Sequence, residues 1–364
     1  MLIFTDLSWT DAKKQYADSW RNLLQSADIN PSLLPDWIEC AANAAGVVEY
    51  LRAFVATDAG EVVGIIPYYR HTRRMMGVTV KALEFAGNII SYHQEIIAQD
   101  HHKELLIGFL EHQAVQGWDV LCLDGILNRS ATRRSVEEIA KDWGLSLIIY
   151  PAESSPYLRI TEKWDEFIVK KSKKFRYKIR KREKDLRTFP EFAMRWFEGQ
   201  DDSAELLHDV LKIEAGSWKV KADMDITGRP MELRYHEQLL PMMGRENLLF
   251  ANVLYVRQEP AAYNLCYRWN RRLGQIKTSF NDAFQEFSPG ALVLEAALRR
   301  AFDDGYQEFD FLGDVMQHKM AWSTDSRDHE TLFLFSHSIK GRTLGLLKQT
   351  AQQVKRIKTR LSRR

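Results

Sequence analysis

The chain has 364 residues, enough for two domains of ordinary size, and its 45% hydrophobic and 27% charged residues are those of a folded globular protein rather than a disordered or fibrous one. With 51 Lys and Arg against 49 Asp and Glu, the net charge is only +2, so any polyanion binding must come from local concentrations of charge. Cys40, Cys122 and Cys266 are few, odd in number and far apart, which excludes a disulfide framework and a cysteine-rich zinc site and suits a reducing cytosol.

The first residues, MLIFTDLSWTDAKKQ, meet acids and lysines too early for a signal peptide, and no apolar run approaches the ~20 residues that span a bilayer. A cytoplasmic location is therefore expected, with peripheral contact at the inner face of a membrane as an addition. Further along, LRAFVAT (51–57) and EVVGIIPYY (61–69) flank Asp58-Ala59-Gly60, which is hairpin chemistry. KALEFAG follows as a strand, and HHKELLIGFLEHQAVQGWDVLCLDG predicts a helix, a glycine stop and a buried strand.

The stretch KKSKKFRYKIRKREKDLR (170–187) reads as one basic helix with a narrow apolar stripe of Val169, Phe175, Ile179 and Leu186. A second helix is expected from about Ser203 to Lys219, and MDITGRP after it reads as a mobile loop able to cover an acceptor site. NLLFANVLYV, AAYNLCYRW and GQIKTSF then give three strands. FSPGALVLEAALRRAFDDGYQEFDFLGD follows as a turn, a helix stopped by Gly305 and a strand on which Asp310 alternates with Phe309 and Phe311. The chain closes on KRIKTRLSRR, with Leu347, Val354, Ile357 and Leu361 along one side.

Two of these helix–strand units superpose at a constant offset. Gly117 falls on Gly305, Trp118 on Tyr306, Leu121 on Phe309, Leu123 on Phe311 and Gly125 on Gly313, with Leu106 and Leu110 on Leu294 and Leu298. A duplicated α/β unit follows. The copies differ where chemistry would sit: Asp100-His101-His102 replaces Ser288-Pro289-Gly290, and Cys122 replaces Asp310. A degenerate first copy and a working second one is the simplest reading. The second copy's helix start offers uncovered N–H groups and a partial positive charge to an anion, although Pro near a helix start also serves as a plain cap.

EAGSWK (214–219), the FSPG stretch and HKMAW (318–322), in that order, resemble the CelD-like branch of the GNAT acetyltransferases, a branch related to the Fem-type aminoacyltransferases. The resemblance covers about 165 to 335. It implies an α/β (α+β) fold of tandem GNAT-like (acyl-CoA N-acyltransferase) domains, with mixed, mainly antiparallel sheets flanked by helices. The expected division is 1–160 as a degenerate GNAT-like domain, 161–340 as the acyltransferase domain with a basic entry helix at 163–187, and 341–364 as a basic C-terminal helix. The implied activity is N-acyl transfer from acetyl-CoA or another acyl-CoA, as co-substrate and without a metal, to an amino sugar or its nucleotide- or lipid-linked precursor in extracellular polysaccharide or cell-envelope synthesis. The family's Gln/Arg-x-x-Gly-x-Gly/Ala phosphate loop is absent, and FSPG stands in its place. Two other readings are an aminoacyl-tRNA-dependent transferase and a non-catalytic polyanion-binding scaffold. Against nucleic acid, the only aromatic residues interleaved with the basic run are Phe175 and Tyr177.

Transfer to an amine needs a neutral nucleophile, donors for the oxyanion and a tolerated leaving thiolate. Asp310, Glu214 and Lys319 are the candidate catalytic groups; Asp310 could take the amine proton, and Lys319 could equally be a solvated lysine. Phe287, Ser288, Pro289, Gly290 and Ala291 are the candidate donor cradle. Trp218, Lys219, Tyr263, Tyr267, Asp314 and Trp322 are the candidate acceptor contacts, each with a structural alternative. Trp218 and Trp322 could be core residues, and Asp314 could cap a helix over 315–322. One of the two tyrosines could protonate the thiolate, and the basic helices could hold a phosphate-rich donor or lie on an anionic membrane.

Overall fold

Alternating apolar residues and a tight turn set up the first sheet. Ala59 and Gly60 both take positive φ, 48° and 89°, the geometry a two-residue hairpin demands. The computed structural model describes residues 1–89, 93–188 and 191–361. In chain order the first unit contains β1 (Ile3–Ser8), α1 (Trp9–Ser26), α2 (Pro35–Ala45), β2 (Leu51–Asp58), β3 (Glu61–Met75), β4 (Val78–Phe85), β5 (Ile97–Ala98), α3 (His102–Gln116), β6 (Val120–Leu127), α4 (Ala131–Asp142) and β7 (Ser146–Pro151). The second begins with β8 (Ser155–Arg159), α5 (Trp164–Val169), α6 (Lys173–Thr188), β9 (Phe192–Phe197), α7 (Ser203–Ala215), α8 (Pro230–Arg245) and β10 (Leu249–Val256). It continues through β11 (Glu259–Trp269), β12 (Arg272–Phe280), α9 (Pro289–Asp303), β13 (Glu308–Asp310), α10 (Gln317–Met320) and β14 (Asp325–Arg327). The chain then returns to the first unit as β15 (His329–Phe335) and α11 (Ile339–Leu361).

The units are Met1–Ser154 with Asp328–Arg364, and Ser155–Arg327. The boundaries thus fall at 154/155 and 327/328 instead of 160/161 and 340/341, because pairing overrides chain order. β15 lies between β6 and β7 in the first sheet, ordered β1-β2-β3-β4-β6-β15-β7, with β5 on β3. β8 lies beside β13 in the second, ordered β14-β8-β13-β12-β11-β10-β9. Nor is the C-terminal helix a separate element. Leu344 is buried in the first unit's core, and Gln352 Nε2 donates to the carbonyl of Ile149 on β7 (2.9 Å).

Both sheets are mainly antiparallel with one parallel pair at the same place, β4 with β6 and β12 with β13. Each parallel pair is bridged by the helix read from the sequence, α3 or α9, and each helix is followed by a glycine with positive φ, Gly117 or Gly305. Leu106 and Leu110 on α3 are buried, as are Leu294 and Leu298 on α9, each pair in its own unit's core. The entry helix expected over 163–187 is two helices, since α5 ends at Val169 and α6, which carries most of the basic stretch, starts at Lys173; Ile179 carries α6's packing with half-buried Phe175, and the side chain of Leu186 lies outside the described residues. The side chains of Val354, Ile357 and Leu361 also lie outside them. No described helix is long and apolar enough to cross a membrane.

Candidate active site

β12 and β13 run side by side for three residues only, Arg272–Glu308, Leu273–Phe309 and Gly274–Asp310. β13 stops there, while β12 runs on to Phe280, paired with β11. The register with β11 slips by one at Ile276, between the pairs Gln275–Cys266 and Lys277–Leu265, so β12 bulges just as it loses its other neighbour. The result is a wedge, lined on one side by the β12 edge beyond Gly274. Its other lip is held open by the turn leaving β13. Leu312 takes a positive φ of 43°, unusual for a leucine, followed by Gly313 at 56°. Asp310 Oδ1 accepts from the Leu312 N–H (2.9 Å), and Lys319 Nζ donates to the Leu312 carbonyl (2.6 Å). Two predicted site residues therefore meet at one turn, where they fix the backbone.

The helix from the wedge, α9, opens at Ser288, an exposed residue with φ 53° and ψ 49° and no side-chain cap bond. Pro289 has no N–H to offer, and the Ala291 N–H turns back to the Ser288 carbonyl (3.0 Å). A β-carbon on Gly290 would stand 3.3 Å from the Phe280 ring, a close approach that ties the helix start to the end of β12. Phe287 packs edge-on against Phe192. The five cradle candidates thus share the first turn of α9 and its entry.

On the sheet face opposite α9, the last ladder pair is covered by Tyr267. A β-carbon at 274 would stand inside its ring, 2.5 Å from the hydroxyl oxygen, so only glycine fits beneath it. Burial drives the Tyr267 pKa well above its ordinary value, and the charges of Asp310 and Glu308 push the same way. Arg327 bonds both carboxylates, Asp310 Oδ2 at 2.8 Å and Glu308 Oε2 at 2.6 Å, and lies over the Tyr157 ring. Burial opposes the guanidinium charge, but the two carboxylates outweigh it and raise its pKa.

Along the same face sits a second polar group. Glu214, 0% exposed, takes bonds from Tyr263 Oη (2.6 Å), Lys219 Nζ (2.9 Å) and the Ile226 N–H (3.3 Å). Lys219 also donates to the Thr278 carbonyl on the bulged stretch of β12 (2.9 Å), and burial, stronger than the pull of Glu214, lowers its pKa. The 224–230 segment is therefore anchored at Ile226 and Asp225, both buried, and the mobile cover expected there is instead pinned to Glu214. His236 on α8 is 2% exposed. Its Nδ1 donates to the Glu232 carbonyl (2.7 Å), whereas its Nε2 is buried without a partner among the described residues. Burial lowers its pKa, and the nearby charges of Lys277, Glu232 and Glu214 act on it.

The remaining candidates separate. Trp218 is 46% exposed beside Lys219, while Trp322 is in the α9-side core, stacked on Trp164 and Phe167. Asp314 is exposed and does not cap α10, which begins after Met316 because the Leu312–Gly313 turn delays the helix. Arg327, Glu308 and His236 were missed. The first two look like surface charges in sequence, and a histidine at a helical position gives no sign that its second nitrogen will be buried unpaired.

Residues 173–320 match the family model of the acetyltransferase (GNAT) domain. This stretch, about two fifths of the chain, is similar to the GNAT acetyltransferases. No curated protein matches the chain in sequence. Among solved structures, a conserved protein of unknown function from Bacteroides thetaiotaomicron VPI-5482 superposes with a TM-score of 0.61 at 15% identity, covering 92% of this chain and 100% of that one. FemX superposes with 0.61 at 12%, covering 91% and 96%. The C-terminal domain of an Agrobacterium fabrum protein named as a lysylphosphatidylglycerol synthetase gives 0.55 at 11%, covering 86% and 95%. At these identities the likeness is one of fold. That fold is the mixed α/β class expected, two GNAT-like units with mainly antiparallel sheets.

Proposed function

We propose that the GNAT domain transfers an acyl group from a coenzyme A thioester to the amine of an amino sugar or its nucleotide- or lipid-linked precursor. The observation that carries this reading is the wedge beyond Gly274–Asp310, which leads to the uncapped start of α9. A pyrophosphate at that helix start meets the Gly290 N–H and the positive end of the helix. The thioester then lies along the open edge of β12, whose N–H groups receive the oxyanion. The amine nitrogen attacks the carbonyl, the C–S bond breaks, Tyr267 gives its phenolic proton to the sulfur and regains one from the amine. Its raised pKa keeps that phenol protonated at neutral pH. Asp310, Lys319 and Arg327 act as positioning residues that hold the β13 lip, and Glu214 fixes Tyr263 and Lys219 beside β12. Exposed Trp218 offers a flat apolar platform for a sugar ring. The sugar acceptor and the envelope pathway rest on the CelD-like resemblance of the EAGSWK, FSPG and HKMAW segments.

Calorimetry with acetyl-CoA tests the donor. The wild type is expected to bind, and Gly290→Glu, which puts an anion and a side chain against Phe280, to lose at least tenfold in affinity. If the wild type instead ignores acetyl-CoA and binds aminoacyl-tRNA with a steep salt dependence, the donor is the RNA ester.

A further inference from the structure

The candidate site leaves one strongly charged surface unused. Ile179 turns one side of α6 into the core, and Arg182 on that side pairs with Glu295 of α9. The far side carries Lys173, Lys174, Lys178, Arg180, Lys181 and Lys184, all exposed, and none of them is paired with an acid among the described residues. Tyr177, 68% exposed, stands in the middle of that face, one turn from Lys173 and Lys174 and one turn from Arg180 and Lys181. At the start of the helix, Lys171 Nζ donates to the carbonyl of Ala321 (2.9 Å) and lies over the rings of Phe167 and Phe175, which joins α6 to the end of α10. Val169 and Met320, next in sequence to that junction, are exposed, as are Val315 and Met316 just before α10.

We propose that the outer face of α6, with Val169, Val315, Met316 and Met320 at its edge, docks this protein on an anionic lipid bilayer. Cations without acidic partners are attracted to anionic headgroups, and exposed aliphatic side chains beside them gain by entering the headgroup–acyl boundary. A tyrosine among them has the apolar body and polar tip that suit that depth. RNA would use the lysines and Tyr177 but has no place for two methionines and two valines. The surface does not depend on the donor reading, and its test is separate from donor binding.

Flotation with vesicles of phosphatidylcholine containing roughly a third phosphatidylglycerol, at about 0.1 M salt, decides between the outcomes. The wild type is expected to float with these vesicles and not with phosphatidylcholine alone. Replacing Lys173, Lys174 and Lys178 together by Gln should weaken partitioning about 100-fold, on the basis of about 1 kcal/mol per basic residue. Met316→Ser with Met320→Ser should weaken it about tenfold, and because the methionines are exposed this pair tests the idea even if the lysine variant folds poorly. Acetyl-CoA binding is read in the same variants and should stay within twofold of wild type. Equal flotation with uncharged vesicles, no flotation, or unchanged flotation in both variants would overturn the proposal. Binding of bulk tRNA that the lysine variant abolishes, without vesicle binding, would assign the surface to RNA instead.

Discussion

The two parallel pairs show how one fold can be open in one copy and filled in the other. In the second unit, β12 is continuous past Gly274, and among the described residues nothing pairs with it there on the β13 side. In the first, β4 ends at Phe85, the chain leaves the sheet, and β5 takes up the vacated edge of β3 at Gly64 and Ile65. On the way back, Gln94 pairs in parallel with Ile126 on β6, its N–H bonded to the Gly125 carbonyl (3.2 Å). The first unit's own chain therefore pairs along β6 beyond its contact with β4. The acids have moved as well. Glu84 on β4 faces Cys122 where the second unit has Gly274 facing Asp310, and Glu84 is consumed by Tyr69 (2.7 Å), His71 (3.0 Å) and Arg73 (2.6 Å). Burial first, with Glu84 nearby, pushes the Cys122 thiol up to about 12. What separates the two units here is the continuity of one strand and the position of one carboxylate.

The sharpest way to break that contrast is to remove the clamp on the open side. Arg327→Leu removes the cation that two buried carboxylates share and should cost about 3–5 kcal/mol, read by denaturant unfolding, with donor affinity falling as the β13 lip relaxes. An unchanged unfolding midpoint would mean that the clamp holds nothing. Next, Gly274→Val forces the Tyr267 ring off the ladder pair and should cost about 1–3 kcal/mol. Turnover should fall about 100-fold or more if the phenol serves the thiolate. The same readout for Tyr267→Phe, which keeps the packing, separates proton donation from shape: full activity there rejects the phenol's role.

A smaller effect concerns His236. Its folded pKa lies below the ordinary 6.5, so on acidification the unfolded chain takes up the proton first, and stability falls as pH drops below about 6.5. The slope is at most about 1.4 kcal/mol per pH unit. His236→Leu should flatten it between pH 5 and 7; a slope that survives would belong to other groups. Smallest of all, Cys122 should resist iodoacetamide at pH 8 in the native protein and react only on unfolding, as an inert core thiol does.

Much of this was legible in the sequence. The fixed offset between Gly117 and Gly305 exposed the duplication, because a helix stop and a strand start are local signals. The exchange of Asp310 for Cys122 was legible for the same reason, as a difference at one matched strand position. What was not legible depended on pairing between distant residues. Nothing local says that 329–335 will pair with β6 and β7, that Gln94 will fill a wedge, or that Asp310 will spend one oxygen on Leu312 and the other on Arg327. Trp322 could equally have lined a pocket or a core, and the choice was made by Trp164 and Phe167, some 155 positions earlier in the chain.

The placement of β15 has a consequence for how the protein comes into being. Among the described residues β7 has its ladder partner only in β15, so a ribosome that has finished residue 154 has released a sheet whose β6 and β7 both show unpaired backbone. Those edges stay open while the next 173 residues, Ser155–Arg327, emerge as a contiguous unit that closes on its own strands. The amino-terminal unit is thus the last to be completed, and the interval before residue 335 appears is when this chain most needs a chaperone.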